Sequence, residues 1–349
     1  MSSKCRSISP KLSRRCATLR MLSDLLLFDA HCDTVTRLSL NGLKSGNFNQ
    51  EPHNSIGILF QLAASGRRRI MQAFALCMHP FWIPGKLPSQ VSPEDLVSVY
   101  FTFLEQAGDH ARHCTSRSEA KQAWTDGKIA CFLTIEGLGE AAGTSIERII
   151  RLYELGVRWA GPVWNHNNSI AAGVDPDQED GGLTAFGKTA VDEMERLGMG
   201  IDVSHMSDKS FWDCLERIRK RGLLLASHSN ARALCGHRRN LTDAQIRAVS
   251  AAGGVIGITF HRPFLNNHSA NASISDILAH IDHIAAVGGI QCVGIGSDFD
   301  GTDELACGIR DASDLPLLVE QLLQHNYSEE DIRLILGGNW LRIFSECRM

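Results

Sequence analysis

The sequence predicts an α/β protein, a single (β/α)8 TIM barrel. Three observations carry that prediction: eight short apolar runs, helix-period segments between them, and a side chain able to do chemistry at the end of each run. Short continuous runs suit strands covered on both faces, which is the burial pattern of a parallel sheet. Strands alternating with helices could form an open doubly wound sheet or a closed barrel, and periodicity does not separate the two. The strand ends do, because a barrel gathers the C-terminal ends of all its strands on one face.

The runs are LLLFDAH (25–31), IMQAFALCM (70–78), IACFLTIE (129–136), VRWAGPVWN (157–165), GIDVSH (200–205), LLLASHS (223–229), GVIGITFH (254–261) and CVGIGSDF (292–299). Helix-period segments lie at 93–107, 145–155, 184–197, 207–221, 242–252 and 274–287, with a helical tail over 314–344. Gly156, Gly198, Gly222, Gly253 and Gly288 fall just past predicted helix ends, where a left-handed residue favours glycine. Pro93 fits a first helical turn, and Thr242 with Gln245 reads as a capping box. The run ends are His31 with Asp33, His79, Glu136, Asn165 with His166, His205, His228, His261 and Asp298. No G-x-G-x-x-G follows a strand, which weakens a dinucleotide-binding reading.

Composition narrows the partners. With 44% hydrophobic and 21% charged residues, the 349-residue chain can bury a full core without staples, so metals would serve catalysis rather than stability. A net charge of −4 offers no basic field for nucleic acid or an anionic membrane, and favours a small neutral or zwitterionic partner. The eleven cysteines include no C-x-x-C pair, as expected of a reduced, cytoplasmic protein. No apolar run reaches the roughly 18 to 20 residues of a membrane helix. Residues 1–20 are basic and Ser-rich without an apolar core, and read as a disordered leader before one domain spanning 21–349.

The chemistry concentrates in five residues. In His31-Cys32-Asp33, extended backbone turns alternate side chains the same way, so His31 and Asp33 can grip one ion. Glu136 ends a run too apolar to leave a carboxylate unpaired. His205 and His228 end successive runs, each directly after a serine. Three imidazoles and two carboxylates make a ligand set for a pair of zinc-type ions. Asp298 would stand beside them, ionised with cations near, as the proton shuttle; Asp300 is the weaker candidate. Arg238-Arg239, on the loop beyond the sixth run, could clamp a substrate carboxylate as well as it could form a loop ion pair.

The stretches FDAHCDTV, TIEGLG, LGVRWAGPVWNHNN, GLTAFGKTAVDEMERLGMGIDVSHMS, ASHSNARALCGHRRNLTD, GGVIGITF, VGIGSDFDG and GGNWLRIF together resemble the membrane dipeptidase family, the M19 metallopeptidases of the amidohydrolase superfamily. They run from Asp29 to Phe344. The resemblance implies two Zn2+ ions per chain, one on His31 and Asp33, the other on His205 and His228, bridged by Glu136 and a hydroxide that attacks the peptide bond of a dipeptide. It further implies that Asp298 handles the proton, that Arg239 binds the terminal carboxylate, and that the chain forms a homodimer. Two positions depart from the family's pattern. Trp164 stands in the column of a substrate-facing histidine, leaving Asn165 or His166 to replace it, and His261 stands where the family carries an aromatic. Two other readings therefore stay open: hydrolysis of another small amide, such as an N-acyl amino acid or lactam, and an inactive barrel acting as a binding protein.

Overall fold

The computed structural model describes residues 25–40, 69–78, 92–175 and 177–346; the predicted leader and His79 lie outside these. In chain order the strands are β1 (Leu26–Asp29), β2 (Arg69–Cys77), β3 (Ala111–His113), β4 (Ile129–Glu136), β5 (Val157–Gly161), β6 (Gly200–Asp202), β7 (Leu224–Leu225), β8 (Ile256–Ile258) and β9 (Val293–Ile295). All except β3 build the predicted barrel wall, in the order β7-β6-β5-β4-β2-β1-β9-β8 with every neighbouring pair parallel. The ring closes between β7 and β8 through an Ala226–Ile256 bridge, where the Gly257 N–H donates to the Ala226 carbonyl at 2.7 Å. The short β3 pairs with the start of β4 from outside the wall.

The helices are α1 (Thr34–Leu40), α2 (Pro93–Ala107), α3 (Arg117–Thr125), α4 (Leu138–Ala142), α5 (Ile146–Glu154), α6 (Ala185–Leu197), α7 (Asp208–Arg217), α8 (Asp243–Ala251), α9 (Arg262–Leu265), α10 (Ile274–Gly288), α11 (Leu315–Gln324), α12 (Glu329–Arg333) and α13 (Asn339–Glu346). The predicted capping box before α8 forms, with Thr242 and Gln245 exchanging bonds of 2.8 and 3.3 Å. Pro93 opens α2 behind a Ser92 cap, and Gly198 ends α6 at φ 71°. At α10 the prediction is one residue early: Gly288 is still helical, and Gly289 makes the turn at φ 88°. The predicted tail is three helices rather than one, with a π-turn between α12 and α13. β3 and α3 were not predicted. Only Ala120 and Ala123 of α3 are buried, too small a face to print a helical apolar period.

Pleat decides what reaches the barrel mouth. In β4 every residue is buried, but Ala130 and Phe132 pack inside the barrel while Ile129, Cys131, Leu133 and Ile135 pack outward with the helices. Glu136 is in phase with Ala130 and Phe132, so it arrives on the inner face at the mouth. On β1, Leu26, Phe28 and Ala30 belong to the inner cluster and Cys32 to the outer one. A one-residue phase shift therefore separates Ala30 from Cys32 and turns His31 and Asp33 inward. Below them the interior is filled by Phe28, Phe132 and Trp159, joined by Trp340 and Phe344 of α13. Phe28 stacks on Trp159 at 6.0 Å, Trp159 meets Trp340 at 5.2 Å and Phe132 meets Phe344 at 5.0 Å. The barrel floor is thus an aromatic plug, and the polar cluster sits at the other end.

Candidate active site

All five predicted ligands converge at the mouth, and all are buried. His31 Nε2 lies 3.2 Å from Asp33 Oδ2 and 3.9 Å from Asp298 Oδ1. Glu136 Oε1 lies 2.5 Å from His205 Nε2 and 3.4 Å from His228 Nε2, and those two nitrogens are 3.0 Å apart. The His31 and His228 rings stack at 3.7 Å, joining the two halves. Among the described residues two sets have ligand atoms within 4.8 Å of one another: His31, Glu136 and His228, and His31, Asp33 and Asp298.

The donor set fits a divalent cation. Asn165 Oδ1 lies 2.8 Å from His205 Nδ1, so that nitrogen carries the proton and Nε2 faces Glu136 as a bare acceptor. A carboxylate oxygen and two imidazole nitrogens then crowd one point, an arrangement that positive charge between them relieves. Asp33 Oδ1 is buried with no hydrogen-bond partner, a further free acceptor beside the same point.

The protein's own charges show the same need. Burial opposes a charged His31, yet Asp33, Glu136 and Asp298 outweigh it and push its pKa up to about 10. Burial, helped by Arg239, pushes His205 down to about 4 and His228 well below its ordinary value, both against the pull of Glu136. Glu136 itself is held well below the carboxylate range, its burial outweighed by the surrounding histidines. Burial, together with Asp33 and Glu136, raises Asp298 to about 7 against His31 and Arg239. The expectation of an ionised Asp298 thus requires cations at its side.

Two aspartates that carry no ligand role in the sequence reading build the frame, and they do it in the same way. Asp29, at the end of β1, accepts from the Ser297 N–H at 2.9 Å and the Ser297 hydroxyl at 2.6 Å, tying β1 to the end of β9. Asp202, at the end of β6, accepts from the Ser227 N–H at 2.9 Å and from the Ser227 hydroxyl, tying β6 to the end of β7. Each lies two or three residues before a candidate ligand histidine, His31 or His205. That spacing, D-x-H and D-x-x-H at a strand end, is the sequence signal that could have found them.

A cavity of about 500 Å³ opens on the cluster, lined by Trp164, Asn165, Arg239, His261, Phe264 and Asp298 among others. Trp164 lines the cavity, its ring 6.2 Å from that of His205. His166 does not join the site: its Nδ1 pairs with Asp175 at 2.7 Å and its side chain is 52% exposed. His261 lines the wall with Nδ1 2.7 Å from the Thr302 hydroxyl. Arg239 is 3% exposed, donates to the Ser204 carbonyl and to His205 Nε2, and keeps its Nε–H unpartnered. Asp298 and Asp300 hold left-handed backbone at φ 65° and 66°, bending the chain around the mouth. Asp300 turns instead to the Thr34 hydroxyl at 2.5 Å.

The string GLTAFGKT at 182–189 spells the phosphate-loop pattern G-x-x-x-x-G-K-[ST], but its setting excludes that role. No strand leads into it, and Thr184 caps α6 by accepting from the Gly187 N–H. Gly187 is glycine because the Ile170 carbonyl lies 1.9 Å from where a Cβ would sit.

A parallel eight-stranded barrel with histidines and carboxylates at its C-terminal mouth defines the amidohydrolase class of metal-dependent hydrolases. Residues 17–349 match the membrane dipeptidase family, peptidase family M19. The chain belongs to that family, and is a metal-dependent dipeptidase, a peptide-bond hydrolase. An uncharacterised Klebsiella pneumoniae protein encoded in the pqqA 5′ region is 36% identical over 266 residues, spanning 72% of this chain and 96% of that one. A Rhodobacter sphaeroides metallopeptidase, solved with a phosphinate mimic of the dipeptide L-Ala-D-Ala, superposes with a TM-score of 0.79 at 26% identity, over 93% of this chain and 99% of its own. The M19 dipeptidase AC gives 0.78 at 27% identity, over 92% and 98%.

Proposed function

We propose that this chain is a zinc dipeptidase acting on dipeptides with a free C-terminal carboxylate. His31 and Asp33 would hold one ion, His205 and His228 the other, with Glu136 shared between them. Such a pair, when bound, supplies a water activated near neutral pH and polarises the scissile carbonyl. The rest falls to the chain's own side chains. Asp298 takes the proton of the attacking water and returns it to the leaving amine. Arg239, on the cavity wall, is the guanidinium that would take the substrate carboxylate. Trp164 and His261 close the sides, and a cavity of about 500 Å³ suits a small ligand rather than a long peptide. The phosphinate complex of the Rhodobacter enzyme supports including a D-residue at the second position. The eight free cysteines among the described residues support a reducing, cytoplasmic setting, and no described helix is long and apolar enough to cross a membrane.

The observation that carries this reading is the crowding of Glu136 Oε1 with two imidazole nitrogens in a buried mouth. The test is metal analysis of the purified chain with a screen of L,L- and L,D-dipeptides, their C-terminal amides and N-acyl amino acids. Close to two zinc ions per chain and preference for the free dipeptides are expected, with Arg239→Ala raising KM for them. No bound metal after zinc supplementation, or equal turnover of the amidated forms, overturns it.

A further inference from the structure

Ser227 touches both halves of the metal cluster at once, and its hydrogen bonds have only one consistent direction. Its hydroxyl reaches Asp202 Oδ2, lies 2.7 Å from His228 Nδ1 and lies 3.5 Å from His31 Nδ1. A hydroxyl has one proton to give and two lone pairs. The Asp202 carboxylate oxygen is the acceptor in this contact, so the proton goes there. Asp202 already takes the Ser204 hydroxyl at 2.6 Å and the Ser204 and Ser227 N–H groups at 3.1 and 2.9 Å, which fixes its carboxylate against rotation. The lone pairs of Ser227 are left for the two rings, which must each turn Nδ1–H toward it. Both Nε2 atoms are then bare and face the cluster.

The backbone holds the hydroxyl there. The Ser227 carbonyl lies 1.9 Å from the place of a Cβ on Gly257 and 1.7 Å from one on Gly296, so the two neighbouring strands close on this residue only because both are glycine. The His31 and His228 rings, both within reach of this one oxygen, stack at 3.7 Å.

We propose that Ser227, oriented by Asp202, is a positioning residue that sets the tautomer of one imidazole in each half-site, and so couples the two half-sites through a single hydroxyl. This rests on the reading of His31 and His228 as metal ligands. Ser204 supplies the control. It gives Asp202 the same number of hydrogen bonds as Ser227, lies 3.4 Å from the Ser227 hydroxyl and reaches neither ring nitrogen, its oxygen accepting the His228 backbone N–H at 3.1 Å.

The test is a zinc titration of the metal-stripped full chain against a chromophoric chelator, for wild type, Ser227→Ala and Ser204→Ala, with thermal melts of the metal-free proteins. Loss of an outer partner of a ligating histidine typically weakens metal binding about 10- to 100-fold. Ser227→Ala is expected to weaken both binding steps by that factor, and Ser204→Ala to leave them within about threefold. Unchanged binding steps in Ser227→Ala, or equal weakening in both variants, overturns the proposal. A wild type that binds no zinc overturns the ligand reading instead. Should Ser227→Ala not fold, imidazole 15N spectra of the zinc-loaded wild type decide: a slowly exchanging Nδ1–H on both His31 and His228 is expected, and free exchange of either with water refutes the shared hydroxyl.

Discussion

Gly301→Ala probes the mouth with one methyl group. Gly301 is not at positive φ, so alanine meets no backbone penalty there. Space is the only obstacle: an added Cβ would lie 2.3 Å from Asp298 Oδ1 and 2.3 Å from Asp33 Oδ2. Real contacts of this kind stay beyond 3.0 Å and are ordinary only from 3.4 Å, so each carboxylate must retreat by 0.7 to 1.1 Å. One of these is a proposed metal ligand and the other the proposed proton carrier. A misplacement of about 1 Å in such a site costs about a hundredfold in rate, or ~2.7 kcal/mol of barrier. The global fold should barely notice, since the exchange also lowers the entropy of the unfolded chain by about 0.4 to 1 kcal/mol. The assay is kcat/KM on the preferred dipeptide, with zinc content and a melting curve on the same preparation. Wild-type kcat/KM within about twofold at full zinc content would refute the placement of these two carboxylates.

Asp298→Asn should keep its zinc and lose at least about a hundredfold in kcat, the usual scale for a lost acid–base group; a fully active variant moves the proton to another residue. His280 is buried neutral, Nδ1 accepting from the Ala231 N–H at 3.1 Å and Nε2–H donating to Leu265 at 3.0 Å, and burial lowers its pKa to about 4. The unfolded chain therefore takes up this proton first, so the His280 contribution is complete above about pH 6.5 and drains away as pH falls toward 4, at most on the order of 3 kcal/mol. Urea unfolding across that interval should show a flatter loss in His280→Gln, and parallel curves would contradict it. Trp340→Ala opens the barrel floor and should cost about 3 to 5 kcal/mol by urea denaturation; a loss below about 1 kcal/mol would mean that the plug does not hold the barrel.

The barrel and the convergence of its candidate ligands were legible because both depend on strand ends, which a sequence shows directly. Each of the eight runs contains a strand, and His31, Asp33, Glu136, His205 and His228 meet where that pattern puts them. Asp29 and Asp202 were not legible as a frame, since their partners Ser297 and Ser227 are far away in sequence and become neighbours only through strand order. His166 fails for a local reason: Asp175, brought back by the loop after β5, claims its Nδ1 and draws it to the surface. The string 182–189 shows the opposite hazard, a familiar spelling whose meaning depends on the absence of a strand before it. α3 hides because only two alanines of it are fully buried, with Trp124 half-buried beside them and donating to the Ile70 carbonyl at 2.8 Å.

The aromatic floor has a consequence for how the protein is made. Trp340 and Phe344 come from near the end of the chain, yet they pack on Phe28, near the start of the described structure. During synthesis β1 and its neighbours leave the ribosome before α13, so Phe28, Phe132 and Trp159 lack their partners Trp340 and Phe344 until that helix arrives. Until that moment the nascent chain offers a chaperone or a protease the uncovered side of this aromatic cluster rather than a finished floor.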